Sequence, residues 1–314
     1  MGRGQGRTRL LIAAAALLLC GGASLSSLPL RDARWLQSSD PAADLTRQPA
    51  ECRARYADPV VERSAEIGRI AFSAPLLLGG QAARAGLSCS TCHANGRSNA
   101  HFHFPGISGA PGTADVTASL MSSHRGDGIF NPKPIPDLAA DPANLKVSRD
   151  PAKDDLKRFI HGLITQEFDG PEPPPAVLDG LVAYVRSLSP AACKGERTRS
   201  VRIGSMLDDV DNAVRLAESS YSAGDPATAH VLIAAARSTL GKIDERFELP
   251  GGEESRAVLR EADTELRSIE TADRASRDQF DAWRRAWPAR ARQLRSAESQ
   301  SLFSEAVLRR VLAN

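Results

Sequence analysis

Residues 89 to 93 read Cys-Ser-Thr-Cys-His, inside the stretch GLSCSTCHANGR (86 to 97). Two thiols separated by two residues, with an imidazole immediately after, have three chemistries open to them: zinc ligation, dithiol exchange, or thioether attachment of a haem. A zinc site wants a second pair of Cys or His ligands at matching spacing, and the chain contains no second CxxC. A redox dithiol belongs at a strand-to-helix junction of a βαβ pattern, which the flanks do not show. Haem attachment needs two thiols on one short turn to meet two vinyl groups, and an imidazole beside the second to reach the iron from the same face. Cys89, Cys92 and His93 supply these in the required order. The motif predicts one covalently attached haem c, with His93 as the proximal iron ligand.

The ligand on the opposite face stays open between Met121 and His124, three residues apart in SLMSSHRGDG (119 to 128). His101, His103 and His161 compete with them, and each histidine has the plainer reading of a surface residue or a partner for a haem propionate. Met206 lies in the other half of the chain. In HFHF (101 to 104), alternation predicts Phe102 and Phe104 pointing inward and the imidazoles outward. Arg97 and Arg125 are candidates to neutralise propionates, against the commoner role of an arginine in an exposed salt bridge.

The rest of the chain must position and protect this turn. With 314 residues, 42% hydrophobic and 25% charged, the composition is globular and long enough for two domains with two cores. A formal net charge of +2 with both signs interspersed gives no basic face, which disfavours nucleic-acid binding. At the start, Arg3, Arg7 and Arg9 precede an apolar run over 10–19 and the small residues Gly21, Gly22 and Ala23, the pattern of a secretory signal over 1–23. Ten apolar residues are too few to cross about 30 Å of hydrocarbon, so no transmembrane segment is expected in the mature chain. A lipid anchor at Cys20 is the less favoured alternative, because Leu19 is larger than such sites usually take. Export implies the periplasm, where thiols are seldom left free, and two remain to be accounted for: Cys52 and Cys193.

Apolar spacing predicts a helix over 64–72, ended by Pro75 and Gly79-Gly80, a second over 154–165, and a third over 176–188 after the prolines between 171 and 175. Residues 94–151 are rich in Gly, Pro, Asn and Asp with little periodicity, a long loop that needs an apolar surface to fold upon.

EIGRIAFSAPLLLGGQAARAGLSCSTCH (66 to 93) resembles the approach to the haem site in the bacterial di-haem cytochrome c peroxidase family, where a similar helix leads into SCxxCH. FDGPEPPPAVLDGLVAYVRSL (168 to 188) resembles the closing helix of the same domains, and FNPKPIPDL (130 to 138) a segment between. The resemblance spans about 60–190 and implies a cytochrome c fold in which the first and last helices cross. That crossing would bring Cys52, before the first helix, to Cys193, after the last, and so implies a disulfide. The family carries two haem motifs and this chain has one, so the resemblance implies fold and cofactor more than reaction.

From Thr198 the composition turns to Ala, Arg, Glu, Leu and Asp. Stripes are expected over 203–221, stopped by Gly224, over 226–247 opened by Asp225-Pro226, over 253–287 interrupted by Pro288, and over 289–312. Four helices on short turns predict an antiparallel bundle, ranked above a tetratricopeptide-like array because no second repeat follows. Trp283 and Trp287 fall on the core side and His230 is the only histidine of this half.

The combined expectation is an all-α protein with a cytochrome c-like haem domain over 52–195 and an antiparallel helical bundle over 198–314. Its expected role is single-electron transfer in the periplasm, with the bundle docking a redox protein partner. Two other classes stay open: a peroxidase-like enzyme with an open distal site, and a haem-based sensor or scaffold.

Overall fold

The structure is a computed structural model describing residues 28–313 apart from 118–119, 194, 196 and 273–276; the expected signal over 1–23, with Cys20, lies outside these. The described chain is mostly helical, which agrees with the all-α expectation. A short helix α1 (Pro41–Thr46) and strand β1 (Arg47–Pro49) precede α2 (Pro59–Ala71). Then come α3 (Gly80–Arg84), α4 (Cys89–Cys92), the paired strands β2 (Thr113–Ala114) and β3 (Lys133–Pro134), α5 (Asp155–Gly162) and α6 (Pro175–Ser187). Beyond these lie β4 (Thr198–Ser200), α7 (Ile203–Ser222), α8 (Pro226–Glu245), α9 (Glu253–Thr271), α10 (Arg277–Ser296) and α11 (Glu305–Ala313).

Helix α2 starts where Asp58 accepts from the Val60 amide, with Pro59 at its first position, a donor-free start suited to a helix N-terminus. Ala65, Ile67, Ile70 and Ala71 bury one face against α6, whose Val177, Leu181, Val182 and Tyr184 face back. The two helices meet at Gly68 and Gly180 with no side chain between: a Cβ on Gly68 would lie 1.9 Å from the Gly180 carbonyl oxygen. The expected crossing of the first and last helices is therefore present, at a pair of glycines. It brings Cys52 and Cys193 to disulfide distance, with Cα atoms 4.7 Å apart across a sequence separation of 141.

In the second half, α8 packs on α7 and α9, and α10 packs on α9 and back on α7, closing a four-helix bundle. Gly224, at φ 81°, ends the first hairpin arm, and Asp225 caps α8 by accepting from the Thr228 amide at 3.0 Å. The third and fourth helices differ from expectation. The break falls after Thr271, and Pro288 sits inside α10. An interior proline costs about 3 kcal/mol. Here it lies beside Trp283 and Trp287, both buried and stacked at 4.7 Å, and near Arg290, which forms two 2.7 Å hydrogen bonds to Glu265 of α9. The buried tryptophans before the proline and the Arg290–Glu265 pair after it offset the lost backbone bond. The predicted fourth stretch correspondingly divides, its tail becoming α11.

Two further differences concern packing. One continuous buried cluster runs from Cys52, Ile70 and Tyr184 through Leu207, Val214, Leu232 and Trp283, where two separate cores were expected. Arg69 reaches Asp209 at 2.7 Å and Asn212 reaches Glu66 at 2.7 Å, tying α2 to α7 across the seam. The sequence reading also assigned nothing to residues 28–46. They pack with α11 in a cluster of Leu28, Leu30, Leu45, Leu302 and Leu308. The buried Arg246 holds this junction, donating to the carbonyls of Leu302 at 2.9 Å and Leu45 at 2.8 Å. No described helix is long and apolar enough to cross a membrane.

Candidate functional site

The Cys-Ser-Thr-Cys turn is α4, a single helical turn whose start is built by its own intervening residues. Thr91 Oγ1 accepts from the Ser88 amide at 3.0 Å, and the Ser88 hydroxyl lies 2.9 Å from that of Ser90. The Ser90 amide donates to the Phe72 carbonyl at 3.1 Å, so the turn is pinned to the end of α2. Behind it, Asn99 closes the exit: its amide donates to the Cys92 carbonyl and its side chain to the Thr91 carbonyl, at 3.0 and 2.9 Å. Both thiols are free and half-buried on this turn. Burial pushes the Cys89 thiol up to about 11 and, with Cys89 adding to it, the Cys92 thiol up to about 12. Such thiols stay protonated at neutral pH, the reverse of the electropositive setting in which a dithiol exchanges electrons.

His93 follows with its imidazole held from one side. Its Nδ1 stands 3.1 Å from the Pro136 carbonyl oxygen, an acceptor, which fixes the proton on Nδ1 and leaves Nε2 as the lone-pair nitrogen. Burial lowers this histidine to about 4, against the smaller opposing pull of the Pro136 carbonyl and Asp137, so the ring is neutral over the physiological range. A neutral imidazole with one nitrogen tied to a carbonyl is the form in which histidine binds a metal. Among the described residues no group of three or more His, Cys, Asp or Glu side chains gathers to hold a metal ion. The two sulfurs and the ring nitrogen thus do not converge on one point, as the donors of a zinc site would.

Segment 136–139 is itself anchored. Arg97, four residues after His93, pairs with Asp137 at 2.7 Å and donates to Cys52 Sγ at 2.8 Å, joining the Cys52–Cys193 pair to the segment that holds the imidazole. Arg125 lies against Glu167 at 2.8 Å. Both arginines therefore have carboxylate partners within the chain.

The two distal candidates part company. Met121 is 1% exposed, in an apolar cluster with Leu78, Leu87, Phe102, Phe104, Ile107 and Ile135 against which Cys92 also packs. His124 has a side chain 62% exposed, with Nδ1 2.9 Å from Asp169. The other histidines also face outward to carboxylates: His101 to Asp44 at 3.4 Å and His161 to Glu172 at 2.8 Å, while His103 is half-buried. Phe102 and Phe104 point inward as the alternation predicts, with Trp35 stacked on Phe104 at 4.3 Å. Met206 packs against the large cluster of the other half.

Sequence reasoning missed the Pro136 carbonyl, 43 residues from His93, and the Arg97–Asp137 pair, because nothing local marks contacts of such separation. The support from Ser88 and Thr91 was visible in principle, as Ser and Thr three residues apart at the start of a helix. No family model matches the chain, and neither a curated protein nor a solved structure does.

Proposed function

We propose that this chain is an exported c-type cytochrome with one haem, which carries single electrons to or from a redox protein. The observation that carries this reading is the geometry at His93: two free thiols on one capped turn, followed by an imidazole whose Nδ1 is held by the Pro136 carbonyl so that Nε2 is free to ligate. In this reading Cys89 and Cys92 would hold the haem through their sulfurs, and the His93 imidazole and the buried Met121 thioether would ligate its iron. Haem supplies a reversible one-electron iron couple. The residues around it do the rest. Phe102, Phe104, Leu78 and Ile135 exclude water, the Cys52–Cys193 pair and Arg97 hold segment 136–139 in place, and the bundle stiffens α2 from behind. A buried thioether as second ligand raises the reduction potential relative to a second imidazole.

The test is an optical spectrum of the oxidised and reduced protein made in a host with haem-attachment machinery. A low-spin spectrum unmoved by carbon monoxide, changed by Met121→Ala and unchanged by His124→Ala, supports this assignment. A high-spin haem that binds carbon monoxide and peroxide instead makes the chain a peroxidase-like enzyme, and loss of the low-spin form in His124→Ala alone moves the ligand to that residue.

A further inference from the structure

A cleft of about 520 Å³ opens where three parts of the chain meet: Arg31 of the leading segment, the turn at Pro75 and Leu76 behind α2, and α8 with α9. That volume is in the range of small-molecule sites. Leu240 and Leu259, each 1% exposed, and the half-buried Leu76 give it an apolar lining. The acids in its wall are already engaged, Asp263 by Arg237 at 2.8 Å and Asp244 by Arg256 at 2.9 Å, so neither is left to draw a cation. The cationic side is not. Arg31 gives its Nε and its backbone amide to Glu245, at 2.6 and 2.9 Å, and no described residue accepts from its Nη atoms. Arg260 is exposed and has no carboxylate partner among the described residues. Gly241 fits the same picture: glycine is a poor residue for the interior of α8, yet a Cβ there would lie 2.9 Å from Arg31 Nη2, so the bare backbone is what admits the guanidinium. Ser238 lines the cleft as well, and its hydroxyl is buried with no hydrogen-bond partner among the described residues, an arrangement that costs stability until an acceptor is supplied.

We propose that this cleft binds an amphiphilic monocarboxylate of the size of a medium-chain fatty acid, its tail against Leu76, Leu240 and Leu259 and its carboxylate on Arg31 and Arg260. The apolar lining suits a hydrocarbon chain, and the one lining cation without a partner suits a single negative charge. Such an occupant touches the leading segment, the turn that follows α2, and both bundle helices at once. It braces the seam between the two halves of the chain, so binding raises the thermal midpoint as its concentration rises. The site lies outside the turn at 89 to 93 and does not depend on what that turn carries.

The test is isothermal titration calorimetry of the purified full chain with sodium octanoate, sodium decanoate and decylammonium chloride, with the thermal midpoint recorded alongside. The expected result is saturable one-to-one binding of both carboxylates, decanoate tighter than octanoate by up to about 15-fold for its two further buried methylenes. Decylammonium, of the same length and opposite charge, binds at least about tenfold more weakly than decanoate. Arg260→Met, at an exposed and unpartnered position, weakens decanoate about tenfold without moving the midpoint of the unliganded chain. Ala234→Phe, which fills the cleft from a half-buried position on α8, abolishes binding, with far-ultraviolet circular dichroism confirming the fold. Decylammonium binding as tightly as decanoate leaves an apolar groove without charge selection and overturns the assignment. So does decanoate affinity that is unchanged in both variants, or a chain that shows neither saturable heat nor a raised midpoint with either carboxylate. Each of these outcomes leaves the proposed function standing, and a chain purified without haem leaves the cleft standing.

Discussion

Substituting Gly68 by alanine is the most direct challenge to the helix crossing that supports the motif. The added Cβ would stand 1.9 Å from the Gly180 carbonyl oxygen, 2.1 Å from its carbon and 2.5 Å from the Leu181 nitrogen. A relaxed contact between carbon and a carbonyl oxygen is about 3.3 Å. All three neighbours are backbone, so no side chain can turn aside, and α2 and α6 must separate by more than 1 Å. Overpacking in a filled core costs roughly 1–3 kcal/mol, occasionally more, and a site with no rotamer escape belongs at or beyond the top of that range. Alanine returns up to about 1 kcal/mol through helix propensity. The expected net loss is therefore roughly 2–4 kcal/mol, a fall of about 1 M in the urea midpoint for an m-value near 3 kcal/mol/M. Gly162→Ala is the control, because its Cβ would meet nothing within 4 Å, and it should leave the midpoint unchanged or raise it. Chemical denaturation followed by far-ultraviolet circular dichroism reads both. Equal midpoints for Gly68→Ala and Gly162→Ala would refute the close crossing.

Three other outcomes follow from particular contacts. Opening the Cys52–Cys193 pair with Cys193→Ser frees a loop of 141 residues and should destabilise the chain by about 5 kcal/mol in the chain-entropy treatment, less if the unfolded chain stays compact; calorimetry reads it. Arg246→Met strands the buried carbonyls of Leu45 and Leu302 and should cost roughly 2–4 kcal/mol, with hydrogen exchange rising first in α1 and α11; unchanged protection there would refute the clamp. In the haem-free chain the thiols at 89 and 92 are raised, by burial first, from the ordinary 9 to about 11 and about 12, so the unfolded chain gives up those protons earlier. The stability they contribute is complete below pH 9 and is lost as pH rises toward 12. Denaturation against pH should show that decline and lose it in the Cys89→Ser, Cys92→Ser double variant.

Much of this architecture was legible in the chain because its signals are local. The five-residue motif is contiguous, the apolar faces of α2, α6, α7 and α8 recur at helical spacing, and Asp225-Pro226 and Gly224 mark a turn by their own chemistry. The alternation in HFHF placed its phenylalanines correctly for the same reason. What escaped depends on distance in sequence or on competition between terms. The carbonyl that orients His93 comes from Pro136, and the Asp137 that anchors that segment answers Arg97, neither signalled by its neighbours. Pro288 looked like a helix end because its local cost is real, yet the burial of Trp283 and Trp287 outweighs it. The segment 28–46 shows no strong period, and it is ordered by what it meets, α11 and Arg246.

The measurement that bears most directly on the proposal is mass spectrometry of the peptide containing residues 89 to 93, from protein purified out of a host able to attach haem. A peptide carrying the mass of one haem, with neither Cys89 nor Cys92 open to alkylation, is the predicted result. A peptide of amino acids alone, with both thiols alkylated, would contradict it.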